Sequence, residues 1–140
     1  MHIDTSFLKR CVQTLERSLE LLNSSDKDSI EYDMYRSASV KEFEIILEQS
    51  GKLLKKALKP YFHSSKEADR LFFKDIFRHA ANHSLITTDE TERWFNYRDN
   101  RNNTAHDYGK GFAEETLILM PQFIIDANSV IKAIQSVSDA

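Results

Sequence analysis

The sequence predicts an all-α protein, an antiparallel up-and-down bundle of four main helices plus a shorter fifth. Only three Gly and two Pro occur in 140 residues, and a chain with so few turn formers favours long helices over strands. Apolar residues recur at spacings of three and four, which is the period of one helix face. The length suits one core, so residues 1–140 are expected to form a single domain.

The first two helices are predicted from apolar stripes and from the residues that end them. The first extends from Thr5 to about Leu22, and the polar run Asn23–Asp28 ends it because such side chains compete with a helical backbone for hydrogen bonds. The second begins soon afterwards and ends before Pro60, which cannot continue a helix. Gly51 interrupts this second helix, so either the helix bends there or another backbone approaches closely.

Two further helices are predicted before the C-terminal one. The third extends from Lys66 to His83 and is apolar over a wide arc, as expected of a helix buried on more than one side. Asp89 and Glu92 have the spacing of a capping box at the start of the fourth. Glycines 109 and 111 bracket the end of this fourth helix, as glycines do where a chain leaves a helix.

The last helix is predicted to begin near Phe112 and to keep the four-three spacing over about three heptads. Even so, no segment is expected to reach the roughly 18 apolar residues of a membrane span. The N-terminus lacks a basic stretch leading into an apolar run, and Cys11, the one cysteine, excludes an intrachain disulfide. We therefore expect a soluble cytoplasmic protein without membrane contact.

The net charge of −3 argues against a protein that binds nucleic acid over its whole surface, since non-specific affinity for nucleic acid comes mainly from neutralising phosphates. Any contact with RNA must therefore be local. One basic stripe lies on the second predicted helix, and it is either a solvated helix face or a local binding surface. It consists of Lys52, Lys55, Lys56 and Lys59.

The run from Arg101 to Tyr108 concentrates a permanent cation, amides, an imidazole and a phenol within eight residues. A guanidinium can fork onto phosphate oxygens, and an imidazole titrates near neutral pH. These are the groups that phosphodiester cleavage needs without a metal. We therefore predict Arg101 as a phosphate clamp, His106 as the group that transfers protons, and Asn102 as a residue that orients His106 or the phosphate.

Two basic side chains near this run, Arg98 and Lys110, are predicted to contact RNA. No metal and no cofactor is required by the predicted chemistry. His79 and His83 stand four apart and would share a helix face, but no third ligand is evident. They are therefore interpreted as part of a polar face or a dimer contact rather than as a metal site.

The helical spacing of Arg101 and His106 raises a geometric difficulty. Five positions apart, they diverge by about 140° on an ideal helix and do not converge on one phosphate. Two solutions remain: the helix unwinds near His106 as it approaches Gly109, or a second copy faces the first across a dimer axis. A two-fold axis would pool two arginines and two histidines in one cleft, so a homodimer is predicted.

The same residues carry a resemblance to a family. Arg101, Asn102, His106 and Tyr108 match the Arg-x4-His-x-Tyr motif, and together with Trp94 upstream and a long helix afterwards the chain resembles HEPN-domain toxins. Within that superfamily it looks like the HEPN/MNT (HepT-like) type, the branch of nucleotidyltransferase substrate-binding proteins. The likeness extends from about Phe43 to the C-terminus.

This resemblance implies a HEPN-like helical bundle that dimerises and acts as a metal-independent endoribonuclease toxin. It also implies a cognate minimal nucleotidyltransferase as antitoxin, which would silence the toxin by adding AMP to Tyr108. The alternative within the same family is a non-catalytic substrate-binding subunit of a two-component nucleotidyltransferase. A third hypothesis is a helical dimerisation module in which Arg101 and His106 are ordinary surface residues and Tyr108 only packs over a helix end.

Overall fold

A computed structural model of the protein describes residues 2–104 and 110–139, without the side chains of Thr104, Lys110 and Phe112. All regular structure in these residues is helical, which confirms the predicted all-α class. A short 3-10 turn, Lys59–Tyr61, follows the second helix. The helices are α1 (Ser6–Asn23), α2 (Ile30–Leu58), α3 (Ser65–Asp69), α4 (Phe73–Asn82), α5 (Thr88–Thr104) and α6 (Lys110–Ser138).

The four main helices, α1, α2, α5 and α6, alternate in direction along the chain. The backbone N–H of Ile3 donates to Ser138 Oγ at 2.9 Å, which joins the start of α1 to the end of α6. The Tyr32 hydroxyl donates to Glu114 Oε1 at 3.0 Å, which joins the starts of α2 and α6. Thus α1 runs opposite to α2 and α6, and the up-and-down arrangement is that of the prediction.

The boundary between α1 and α2 follows the predicted turn. The Ser25 hydroxyl donates to the carbonyl of Leu21 at 2.7 Å and so occupies one of the last carbonyls of α1. Ser29 caps α2, because its Oγ accepts the backbone N–H of Tyr32 at 3.1 Å. The bounds of α1 lie within one residue of the prediction.

The prediction of one continuous helix from Lys66 to His83 is wrong, since two helices, α3 and α4, occupy this segment. Ser64 caps the short α3 by accepting the backbone N–H of Glu67. The carboxylate of Asp75 then accepts the backbone N–H of Phe72 at 3.2 Å and fixes a new helix start. The side chains that compete for backbone hydrogen bonds end one helix and begin the next.

The capping box of α5 lies two residues before the predicted one. The backbone N–H of Glu90 donates to Thr87 Oγ1, and the backbone N–H of Thr87 donates to Glu90 Oε1, both at 3.1 Å. Both pairs have the same spacing, so the motif alone could not select between them. At the other end, α6 already includes Gly111, which therefore does not separate the two helices.

Gly51 lies buried in the middle of α2, which continues through it. A Cβ at this position would lie 3.1 Å from Cδ2 and Cε2 of the Phe73 ring. The close approach is thus made by a side chain at the start of α4, and neither predicted alternative described it. The glycine lets α4 sit close against α2.

The core is dominated by aromatic rings that pack α5 between α4 and α6. Trp94 is fully buried, stacks on Phe77 with centroids 4.8 Å apart, and meets the edge of Phe123 at 5.5 Å. Phe123 also contacts Phe43 of α2 at 4.7 Å and Tyr97 of α5 at 4.9 Å. Such ring contacts contribute packing and a defined geometry, so they fix the position of α5 along the bundle.

The residues Ala113–Ser138 of α6 are long and apolar enough to cross a membrane by length and composition, since an 18-residue segment of them has a mean hydropathy of 1.4. The expectation that no segment approaches a membrane span is therefore wrong as far as the length and composition of α6 are concerned. Inside the bundle, 44% of an 18-residue segment of this stretch is buried. Its apolarity is accounted for by one face that contributes the fully buried Met120, Phe123, Ala127, Val130 and Ile134 to the core.

Candidate functional site

The C-terminal half of α5 presents two arginines to α2. Arg98 Nη1 donates to Glu48 Oε1, and Arg101 Nε lies 3.6 Å from Glu44 Oε2. The two arginines are three residues apart on one helix and the two glutamates four apart on the other, so the pairs form successive rungs between antiparallel helices. The arginine side chains are 28% and 30% exposed, which leaves them half-buried at the surface.

The Arg98 guanidinium also lies over the ring of Phe73, with its carbon 5.0 Å from the ring centroid. The same ring approaches Gly51 of α2. A cation over an aromatic face is attracted by the ring and is held in a defined plane. Arg98 is therefore oriented by a carboxylate and by a ring before any ligand arrives.

The structure brings together only part of the predicted site. Arg98 and Arg101 share one surface, and Asn102 is exposed at the next position of α5. The predicted proton-transfer residue His106 and the predicted acceptor of AMP, Tyr108, lie outside the described residues. Lys110 is the first residue of α6, and its side chain lies outside the description.

A buried carboxylate anchors α5 to α6 one turn before the arginine pair. Asp126 is 1% exposed and accepts Arg93 Nε at 2.8 Å and Arg93 Nη2 at 2.9 Å, a bidentate ion pair. It also accepts the Tyr97 hydroxyl and the Gln122 side-chain amide, the latter at 3.2 Å. A buried carboxylate with this many donors is satisfied, so it joins the two helices in one register.

The same network sets the protonation of its members. Burial, and then the hydrogen bond to Asp126, raises the pKa of the Tyr97 phenol far above its usual value. The hydrogen bond to Asp126 raises the pKa of the Arg93 guanidinium as well. The phenol thus stays neutral and the guanidinium stays charged at neutral pH.

Both sides of the motif are tied to the bundle. On the α5 side, Thr116 Oγ1 donates to Asn100 Oδ1 at 3.1 Å. On the α6 side, Glu114 accepts the Tyr32 hydroxyl and lies 3.7 Å from the Arg36 guanidinium. The end of α5 and the start of α6 are therefore both anchored to the bundle.

The two histidines that stand four apart face aromatic rings. His83 stacks on Tyr61 with centroids 3.9 Å apart, and His79 meets the edge of Phe62 at 5.1 Å. Among the residues that the structure describes, no cluster of three His, Cys, Asp or Glu is arranged to hold a metal ion.

Sequence reasoning missed the acidic partners of the site. Glu44 and Glu48 stand four apart on the stripe of α2 that continues into the lysines, and that regular spacing would have placed them on one face. Asp126 is the one charged residue in the middle of an apolar helix. A charge there is costly unless it is paired, so it indicated a partner on another helix. Arg93, one of the cations near the motif, is that partner.

The described residues thus form a small all-α bundle that carries two partly buried arginines near the end of α5. The chain belongs to the family described as nucleotidyltransferase substrate binding protein like, whose model matches residues 4–136. It is also similar to a curated protein named "Probable ribonuclease HepT" from Haemophilus influenzae. The two are 28% identical over 107 residues, which are 76% of this chain and 72% of that protein.

Two solved structures share the fold. One, from Haemophilus influenzae, is described as revealing the fold of a substrate binding domain of a nucleotidyltransferase. It superposes with a TM-score of 0.81 at 23% identity, covering 94% of this chain and 99% of that one. The other, from Thermus thermophilus, has a TM-score of 0.70 at 21% identity, covering 91% and 98%. The resemblance to the HepT-like branch is thereby confirmed at the level of family and fold.

The Asp126 network generates a prediction about stability. Asp126→Asn keeps the side-chain volume but leaves the Arg93 guanidinium without its carboxylate, so the free energy of unfolding should fall by about 2–3 kcal/mol. Breaking a buried ion pair typically costs about 3–5 kcal/mol, and the loss expected here is smaller because Arg93 is 37% exposed. Urea unfolding followed by the fluorescence of Trp94, the single tryptophan, measures this loss.

The control Asp139→Asn, at an exposed position, should change stability by less than about 0.5 kcal/mol. Equal losses in the two variants would contradict the anchoring role.

Proposed function

We propose that the protein is a metal-independent endoribonuclease, the toxin of a toxin–antitoxin pair that acts in the cytoplasm. The observation that carries this proposal is the arginine pair of α5. Arg101 opens the Arg-x4-His-x-Tyr motif and lies beside Glu44, in a chain similar to a protein named as a probable ribonuclease. Guanidinium groups oriented in this way at a surface suit a phosphodiester.

The proposed reaction uses the nucleophile that RNA itself carries. One histidine, His106, takes the proton of the 2′-hydroxyl, whose oxygen attacks the adjacent phosphorus. The bond from phosphorus to the 5′-oxygen breaks, and that oxygen receives a proton from a second imidazole. The products are a 2′,3′-cyclic phosphate and a 5′-hydroxyl. Arg101 stabilises the charge on the non-bridging oxygens, and Asn102 orients the phosphate or the imidazole.

Arg98 and Lys110 are proposed to contact the RNA beside the scissile phosphate. A guanidinium carries five N–H donors, so the hydrogen bond of Arg98 to Glu48 leaves capacity for a phosphate. Because Phe73 supports its plane, Arg98 needs little further ordering on binding.

The catalytic proposal predicts that His106→Ala slows RNA cleavage by about 10²- to 10⁴-fold, since it removes the proton carrier. Arg101→Ala should slow it by about 10²- to 10³-fold, since it removes a stabiliser of transition-state charge. Gel analysis of bulk RNA and tRNA with purified protein in EDTA measures both, and DNA should remain intact. Matched controls at exposed positions are His2→Ala and Arg10→Ala.

Full activity in His106→Ala would contradict the proposed role of this residue. Cleavage that disappears in EDTA and returns with a divalent ion would contradict the metal-free mechanism. In cells, expression of the wild-type chain without a nucleotidyltransferase antitoxin should arrest growth, and His106→Ala should relieve the arrest.

We further propose that the active form is a homodimer in which Arg101 of one subunit acts with His106 of the other. The large divergence of these positions on one ideal helix favours a cleft shared by two chains. A mixed dimer of one wild-type and one His106→Ala chain lacks one of the two imidazoles and should therefore cleave RNA about tenfold or more slowly than the wild-type dimer. A mixed dimer that keeps half of the wild-type activity would contradict the shared cleft.

The proposed partner is a minimal nucleotidyltransferase that acts as antitoxin and transfers AMP to the Tyr108 hydroxyl. The adduct would add bulk and a negative phosphodiester next to the proposed catalytic residues, which opposes RNA binding. When Tyr108→Phe is incubated with the nucleotidyltransferase and ATP, intact-mass spectrometry should therefore detect no added AMP. This variant should still cleave RNA. The control Tyr61→Phe, at an exposed tyrosine, should be silenced like wild type. Silencing of Tyr108→Phe by AMP transfer would contradict this site.

A second candidate function is a non-catalytic subunit that presents a substrate to a nucleotidyltransferase. The family description and that of the solved Haemophilus influenzae protein favour it. This candidate predicts no growth arrest and no cleavage of RNA, together with tight binding to the nucleotidyltransferase that depends on nucleotide.

A further inference from the structure

Positive charge is concentrated in one part of the chain. Residues 52–83 contain eight Lys and Arg and only three Asp and Glu, whereas the whole chain contains 19 and 22. This segment is therefore positive by five charges in a protein whose net charge is −3. A local cationic surface on an acidic protein is a candidate for binding a polyanion.

Four of these eight cations form a line along α2 and the turn that follows it. On α2, Glu44 and Glu48 pair with Arg101 and Arg98. The same helical spacing continues through Lys52, Lys55 and Lys56 of α2 to Lys59 of the 3-10 turn, so the line is about 22 Å long. Lys52 and Lys56 are exposed, and Lys55 and Lys59 are partly buried. Within the described residues, Lys59 lies 3.9 Å from Asp69, and the other three lysines form no ion pair.

An aromatic stack stands at the far end of this line. The 3-10 turn places Tyr61 two residues after Lys59, and its ring stacks on His83 at 3.9 Å with an angle of 19° between the planes. Tyr61 remains 46% exposed. An exposed ring that is backed by a second ring is a rigid surface on which a base can stack.

We propose that this basic–aromatic track, formed by Lys52, Lys55, Lys56, Lys59, Tyr61 and His83, binds the single-stranded RNA that leads away from the scissile phosphate. The proposal rests on the proposed ribonuclease function and adds a substrate-positioning surface to it. Binding of a single strand without sequence preference uses two elements: cations that follow the phosphate backbone of the RNA, and an aromatic ring on which a base stacks. An acidic face of a protein partner would use the lysines but would not need the stacked rings.

The lysines are tested with the triple variant Lys52→Gln, Lys56→Gln, Lys59→Gln. The probe is a fluorescein-labelled, fully 2′-O-methylated oligoribonucleotide of about 12 nucleotides, which binds but lacks the nucleophile. Fluorescence anisotropy should show affinity lower by about tenfold or more near 0.15 M salt. The slope of log affinity against log salt should fall by about two, as expected for three lost contacts to a single strand.

The matched control is Lys9→Gln, Lys27→Gln, Lys132→Gln, which changes the net charge equally at exposed positions elsewhere. It should retain the wild-type slope and nearly the wild-type affinity. Equal losses in both triple variants would overturn the track, because the effect would then belong to total charge. Circular dichroism verifies that both variants are as helical as wild type.

The ring is tested with Tyr61→Leu against Tyr61→Phe. Leucine removes the aromatic face and should weaken binding by about tenfold, whereas phenylalanine preserves the face and should bind like wild type. Equal binding by both would overturn the stacking role.

The outcomes separate the track from the proposed function. If the wild-type protein cleaves RNA and the lysine variant has the same rate and affinity, the proposed track is overturned and the ribonuclease proposal stands. A wild-type protein that binds the probe through the track but cleaves no RNA supports the track and contradicts the ribonuclease. Loss of binding to the nucleotidyltransferase with full RNA binding assigns the lysines to the protein partner and overturns the proposal.

Discussion

The position of α5 depends on a carboxylate buried in the most apolar helix of the protein. Moving a charge out of water costs several kcal/mol, and Asp126 offsets this cost through donors from Arg93, Tyr97 and Gln122. Arg93 and Tyr97 stand four apart on α5, so both must face α6. The next positions around the helix, about 100° away per residue, then turn toward α2. The contact of Asp126 with Arg93 and Tyr97 thus also sets the direction in which Arg98 and Arg101 point.

On the opposite side, α2 supplies the surface that receives these arginines, and the character of that surface changes along the helix. Its central part is acidic, with Glu44 and Glu48 paired to the arginines, and its last third is basic. Gly51 lies at the transition and gives room to the Phe73 ring that supports Arg98. One small residue therefore joins the packing of α4 to the orientation of a proposed RNA contact.

The contrast between what the sequence predicted and what it missed follows from the range of the interactions. The apolar stripe of α1 and the turn after it are local, and both were predicted within one residue. The third helix was predicted as one because its apolar arc is continuous, yet Ser64 and Asp75 hydrogen-bond to the backbone and divide it. The motif that Arg101 opens was found from its own residues. The carboxylates that pair with the arginines of α5, Glu44, Glu48 and Asp126, are tens of residues away in sequence, and only the packing of helices brings them near.

The distribution of charge also bears on how such a protein would release its product. Because affinity for nucleic acid rises with each phosphate neutralised, a protein that was basic throughout would retain the cleaved strands. Here the acidic residues outside residues 52–83 repel RNA, and Glu44 and Glu48 stand beside the arginines themselves. A short line of contacts on an otherwise repulsive surface would give binding that is sensitive to salt and quick to dissociate. Each carboxylate would also keep its arginine paired before and after a phosphate binds, so the site would return to its starting geometry with little reorganisation.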